Sequence, residues 1–191
     1  ININIYGKDF DTLFDSPKVF IGDYKASNVS IINTTLITCT LPEGMGVDNE
    51  IRLVFDNDIF FPGAISYKKP DIQGVSTVNN QVTCEISNKY PNELINCPNN
   101  DDFYINIYGY DFGYENSKVL VGSQFCEDIH HYGHNNITCK LSGGRGTKKS
   151  IFIIQYQGEI SMGKNYLSFK ECDPGYEFIN NDCSECIKGY Y

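Results

Sequence analysis

Residues 3–10 read I-N-I-Y-G-K-D-F, and residues 105–112 repeat them as I-N-I-Y-G-Y-D-F, with seven of eight identical. The stretches downstream of the two copies match as well. Val19-Phe20-Ile21-Gly22 answers Val119-Leu120-Val121-Gly122, and Ile37-Thr38-Cys39 answers Ile137-Thr138-Cys139. After a two-residue gap near Asp15, the register holds at 100 positions from Val19 to Ile51. A fixed internal period constrains architecture more than any local motif, because each copy must be one folding unit. Residues shared by the copies serve the fold. Those found in one copy only are the better candidates for function.

Within each copy the apolar period is two. Ile1, Ile3 and Ile5 alternate with Asn2, Asn4 and Tyr6, as in a strand with one solvated face. Val19/Ile21, Ile37/Cys39/Leu41 and Ile51/Leu53/Phe55 continue the pattern, and the second copy mirrors it. Gly, Asn, Asp and Ser gather between these runs, and no stretch has helical spacing. Short strands at even spacing predict an antiparallel sandwich in each copy.

The shared glycines are expected to shape turns. Gly7 and Gly109 precede Asp-Phe and predict a tight turn of positive φ, after which Phe10 and Phe112 return to the core. Gly44/Gly46 and Gly144/Gly146 are expected in a hairpin loop. Gly143-Gly144-Arg145-Gly146 lacks the Lys-Ser/Thr and following helix of a phosphate-binding loop. Residues 70–102 form a leader to the second copy with no counterpart in the first, which is expected to have its own leader upstream of Ile1. Within that leader, a Cys84–Cys97 bond would pin an excursion. Residues 170–191 stand apart as a cysteine-rich third unit.

Charge narrows the partners. The 191 residues carry a formal net charge of −9, which opposes any phosphate-rich ligand, and no basic patch offsets it. No run of 18 apolar residues could span a bilayer. Eight cysteines at loop-closing spacings predict an oxidising, extracellular setting. Three sequons, at Asn28, Asn33 and Asn136, agree with it.

Chemistry finds little purchase. His130-His131-Tyr132-Gly133-His134 has metal-like spacing only on a helix, and the segment reads as a loop, so no metal or other cofactor is expected. An exposed recognition loop and an inert surface both remain open for it. The carboxylate pairs Asp101-Asp102 and Asp56/Asp58 flank turns, where Asp is common for capping alone. No nucleophile–base constellation stands out, and no enzyme is expected. Candidate partner-binding residues are Tyr110, which replaces Lys8, Tyr114 in a variable loop, and the imidazoles and phenol of His130, His131, Tyr132 and His134. Phe60-Phe61, which sits where the second copy has Gly158-Glu159, is a further binding candidate or else a core or edge feature.

The string Ile-x-Ile-x-Gly-x-Asp-Phe, then Val-x-Val-Gly, Cys, a sequon-bearing loop, Thr-Cys and Gly-x-Gly resembles the IPT/TIG domain. The resemblance implies two immunoglobulin-like sandwiches of the E-set type, over 1–69 and 70–169. The tail, Cys172-Asp-Pro-Gly-Tyr to Cys183-Ser-Glu-Cys186-Ile-Lys-Gly-Tyr-Tyr, looks like the opening of an EGF-like or similar cysteine-rich module over 170–191. Pairings expected from these resemblances are Cys126–Cys139 and Cys172–Cys183. Ala26 stands where the first copy would need a partner for Cys39, which is then a buried free thiol or is bonded outside the segment. Cys186 would pair further downstream. Array, tail and Asn/Ile/Tyr-rich composition are similar to the amoebal tiger proteins (transmembrane, IPT, Ig, E-set repeats). That implies cell–cell adhesion and self-recognition through another cell-surface protein, with the parent chain anchored in a membrane downstream and this segment soluble. A carbohydrate-binding or spacer module is the alternative. The DNA-contacting role of Rel-type relatives conflicts with the charge, the sequons and the cysteines.

Overall fold

Every described element is a β-strand or a connection between strands. The computed structural model describes residues 1–10, 17–56, 58–78, 84–90, 92–155, 159–179 and 182–187. The gap near Asp15 and Gly158 lie outside the described residues. The chain divides into two compact units, Ile1–Lys68 and Lys69–Tyr191.

The first unit contains β1 (Asn2–Tyr6), β2 (Lys18–Ile21), β3 (Tyr24–Lys25), β4 (Ser27–Asn33), β5 (Leu36–Thr40), β6 (Asn49–Phe55) and β7 (Asp58–Ile65). These form one sheet in the order β1-β5-β4 and another in the order β3-β2-β6-β7. Val19, Ile21, Ile37, Cys39 and Leu53 project inward and are fully or almost fully buried. Alternation along each strand sends their neighbours to solvent, as the period of two requires.

The second unit repeats this plan and adds to it. Its strands are β8 (Asp71–Thr77), β9 (Glu85–Ile86), β10 (Glu93–Cys97), β11 (Phe103–Tyr110), β12 (Lys118–Val121), β13 (Gln124–Phe125), β14 (Glu127–His131), β15 (Asn136–Leu141), β16 (Lys149–Ile154) and β17 (Asn165–Phe169). The sheets run β14-β15-β11-β8 and β13-β12-β16-β17-β10-β9, with β10 and β17 parallel. Ile105, Ile107, Ile137, Leu141, Ile151, Ile153 and Leu167 close its core with no exposed surface. A last hairpin, β18 (Tyr176–Ile179) with β19 (Asp182–Glu185), carries the tail. Asn99 Nδ2 lies 3.2 Å from Cys183 Sγ, which brings that hairpin against the second sandwich.

The repeat extends to backbone irregularities. Gly22 and Gly122, Asn28 and Asp128, and Asp48 and Lys148 all have positive φ, at the same 100-residue spacing. Asn28 and Asp128 sit at matching β-bulges in the β4–β5 and β14–β15 ladders.

Two expectations about glycine need correction. Gly7 and Gly109 do not carry the positive φ of their turns; Asp9 and Asp111 do, at 58° and 59°. Glycine is needed there for close approach instead. A Cβ on Gly7 would stand 2.4 Å from the Phe10 ring, and one on Gly109 would stand 2.1 Å from the Asp71 carbonyl oxygen. The Gly-x-Gly segments are not hairpin loops either. They link β5 to β6 and β15 to β16, which lie in opposite sheets. Identical spacing in sequence fits a hairpin or a crossover equally, and only the pairing distinguishes them.

Disulfide bonds join Cys84 to Cys97, Cys126 to Cys139 and Cys172 to Cys183. Cys39 is free and buried, and Cys186 is free and half-buried.

Candidate functional site

Strand parity in the second unit builds the most elaborated surface. Phe103, Ile105 and Ile107 face the core, so Tyr104, Asn106, Tyr108 and Tyr110 line the opposite face of β11. Asn136, Thr138 and Lys140 stand beside them on β15, in register with Tyr108, Asn106 and Tyr104. Glu127, Asp128 and His130 extend the face along β14, and Ser76 and Gln73 along β8.

Polar contacts hold this face in one arrangement. The Tyr104 hydroxyl donates to Asp128 Oδ2 at 2.5 Å, and His130 Nε2 lies 3.2 Å from Asp128 Oδ1. The tyrosine hydrogen bond, foremost, holds the Asp128 carboxyl below its usual range and pushes the Tyr104 phenol up. Lys140 bridges Asp102 at 3.3 Å and Glu127 at 3.5 Å, and the Asp102 contact raises its pKa. Asn106 Nδ2 donates to Ser76 Oγ. Tyr108 lies over Gly74, where a Cβ would meet the phenol oxygen at 2.3 Å. The face is therefore polar, aromatic and already paired within itself.

The residues singled out from sequence fall into two groups. Tyr110 and His130 belong to this face and are exposed. Tyr132, also exposed, lies in the turn between β14 and β15. Tyr114 and His134 pack against each other at the rim, ring centroids 3.7 Å apart. His131 turns the other way. Its Nδ1 lies 3.2 Å from the Gly113 carbonyl, and burial pushes its pKa down. The histidine segment is thus not a loop throughout: His130 and His131 lie in β14, paired with β15. No metal-sized group of three or more His, Cys, Asp or Glu side chains occurs among the described residues.

Tyr104, Asn106, Tyr108 and Asp128 were not picked out from sequence. The signal for three of them was present, in the alternation of Tyr and Asn opposite a run of buried apolar residues. The contact of Asp128 with Tyr104, made across the intervening β15, had none.

The sequons are placed unevenly. Asn28 lies exposed at the β4 bulge and donates to Thr40 Oγ1, and Asn33 accepts from the amide and hydroxyl of Thr35. Asn136 is half-buried opposite Tyr108, and its Oδ1 has no hydrogen-bond partner.

Among solved structures, this fold is similar to the surface glycan-binding protein PbSGBP-B from Prevotella bryantii. The TM-score is 0.50 at 15% identity, over 82% of this chain and 34% of that one. The full extracellular region of plexin A4 aligns at TM-score 0.40 and 13% identity, covering 88% of this chain and 16% of that one. SGBP-B of the Bacteroides ovatus mixed-linkage glucan utilization locus, in complex with a heptasaccharide, aligns at 0.30 and 11%, covering 94% and 45%. The chain thus spans about a third of the first of these proteins. No curated protein sequence matches it. The sequence description of the IPT/TIG domain matches twice, at residues 1–69 and 85–170. With a repeated all-β sandwich and matches over most of its length, the chain belongs to the IPT/TIG domain family.

Proposed function

We propose that this chain is part of an extracellular recognition receptor, and that the outward face of β14-β15-β11-β8 binds another cell-surface protein. One observation carries the reading: Tyr104, Tyr108, Tyr110 and His130 share one solvent-facing surface, on which Asp128 holds Tyr104 and His130 and the Tyr108 ring packs over Gly74. Tyrosines held in place offer wide contact area at little cost in side-chain entropy, which suits protein recognition. Three disulfide bonds fit an oxidising compartment. The resemblance to tiger proteins supports the finer reading, heterophilic self-recognition by a membrane-anchored parent.

A glycan ligand is the competing reading, favoured by the Tyr108 ring, which packs over Gly74 and stays exposed as a sugar-stacking surface would. Surface plasmon resonance of the whole chain against candidate cell-surface ectodomains, alongside a glycan array, separates the two. Tyr108→Ala and Tyr110→Ala are expected to weaken protein binding at least tenfold without moving the melting temperature, since both side chains are exposed. Unchanged binding by the double variant would sink the assignment of this face. Glycan hits abolished by Tyr108→Ala would replace a protein partner with a carbohydrate.

A further inference from the structure

The three Asn-x-Ser/Thr triplets have different surroundings in the fold. Asn33 closes β4, and Thr34 and Thr35 form a two-residue turn before Leu36 opens β5. Asn33, Thr34 and Thr35 are all exposed. Asn33 Oδ1 accepts from the Thr35 amide and from the Thr35 hydroxyl, each at 2.9 Å. Both contacts span two residues, so the chain can form them locally, before any distant strand arrives. They engage only the carbonyl end of the side-chain amide and leave Nδ2 without a protein partner. The turn is also held from β1 and the segment after it: Gly7 donates to the Thr35 carbonyl and Phe10 to that of Thr34.

The second unit builds its triplet into a sheet. Asn136 opens β15 opposite Tyr108 of β11, and Thr138 stands between Asn106 of β11 and His130 of β14. Side chains two residues apart in a strand are separated by roughly 6.6 Å, twice the rise per residue, so Thr138 does not meet the Asn136 amide as Thr35 meets that of Asn33. Asn136 is half-buried, and its Oδ1 is enclosed. Asn28 is intermediate. It is exposed, but it sits at the β4 bulge with φ 49°, and its Nδ2 donates to Thr40 Oγ1 at 3.2 Å. A sugar on that nitrogen has to share it with Thr40.

We propose that Asn33 is the principal N-glycan acceptor of this chain, that Asn28 is a lesser one, and that Asn136 stays bare. In the transfer, Asn33 Nδ2 bonds to C1 of an oligosaccharide carried on a polyprenyl pyrophosphate. The bond from C1 to the pyrophosphate oxygen breaks, the pyrophosphate leaves with that electron pair, and the amide gives up one proton. Asn33 Oδ1 keeps both hydrogen bonds to Thr35 throughout, so the modification costs the fold no contact. On Asn136 the same sugar would have to displace the neighbouring Tyr108 side chain or draw the asparagine out of its half-buried place. Oxidising conditions that permit the three disulfide bonds belong to the same secretory route as this chemistry. The assignment rests on the geometry of the triplets and stands or falls without the reading of the tyrosine face.

The test is site-by-site occupancy in the whole chain secreted from cultured eukaryotic cells. Peptide N-glycosidase in heavy-oxygen water converts each glycan-bearing asparagine to a labelled aspartate, which peptide mass spectrometry then locates. Asn33 is expected to be occupied in most molecules, Asn28 in fewer and Asn136 in none. Asn33→Gln and Thr35→Ala should each remove one glycan from the mass of the intact protein, and Thr35→Ser should retain it in part. Should these variants secrete poorly, the site map of the parent chain decides alone. Bare Asn33, a glycan on Asn136, or higher occupancy at Asn28 than at Asn33 would each overturn the proposal.

Discussion

Cys39 lies in the core of the first unit with Ala26 beside it in sequence register, where the second unit has the Cys126–Cys139 bond. The ladders correspond at this point: Ser27 pairs with Thr40 as Glu127 pairs with Lys140. Burial pushes the Cys39 thiol up, so it is protonated, inert and enclosed. Iodoacetamide should label it only after denaturation. Ala26→Cys should form a bond to it spontaneously under oxidising conditions. Loop-closure entropy puts the gain at about 3 kcal/mol, readable as a raised urea midpoint that reductant abolishes. His131 gives a second prediction at this scale. Its pKa is depressed chiefly by burial, so the unfolded chain binds the proton more readily than the folded one. The associated stability is complete above the ordinary imidazole value and is lost as pH falls from there through the depressed folded value. Urea unfolding of the second unit at about pH 7.5 and about pH 5, on either side of the ordinary imidazole value, should show a smaller loss for His131→Gln than for the parent chain.

Among the elements, β8 decides how the second unit is closed. It can lie beside β11 only because Gly109 has no side chain, since any Cβ would meet the Asp71 carbonyl and the Phe112 ring. Gly109→Ala must therefore push β8 outward or displace Phe112, which is fully buried. A loss of about 3 kcal/mol or more is expected, in the range of severe core disruption, measured by urea unfolding of the second unit. The matching change Gly7→Ala meets only the Phe10 ring, which is half-buried and has room to shift. It should cost less. The contrast between the two substitutions, more than either value, reports what β8 does.

For the whole molecule, the units have separate cores and unequal reinforcement. All three disulfide bonds belong to the second, whose sheets also hold β8, β9 and β10. Each loop closure restricts the unfolded chain and favours the folded one. Differential scanning calorimetry should resolve two transitions, the first unit melting at the lower temperature. Reductant should lower the upper transition and leave the lower one in place. A lower transition that shifts on reduction would contradict this assignment.

The repeat, the period of two and the turn residues between runs were enough to read two sandwiches and which residues face their cores, because alternation and burial are local consequences of side-chain order. The inward placement of Cys39 came from the same parity. What the sequence left open depends on which strands become neighbours. The crossing of Gly-x-Gly between sheets, the positive φ of Asp9 and Asp111 rather than of the glycines, and the entry of His130 and His131 into a strand all depend on pairing across long separations. Tyr110 and His130 could be singled out in the chain. Their union with Tyr104, Tyr108 and Asp128 on one face exists only once strands distant in sequence are hydrogen-bonded side by side. Side-chain order fixes which way each residue points, but free energy shared among nonadjacent strands fixes what it points beside.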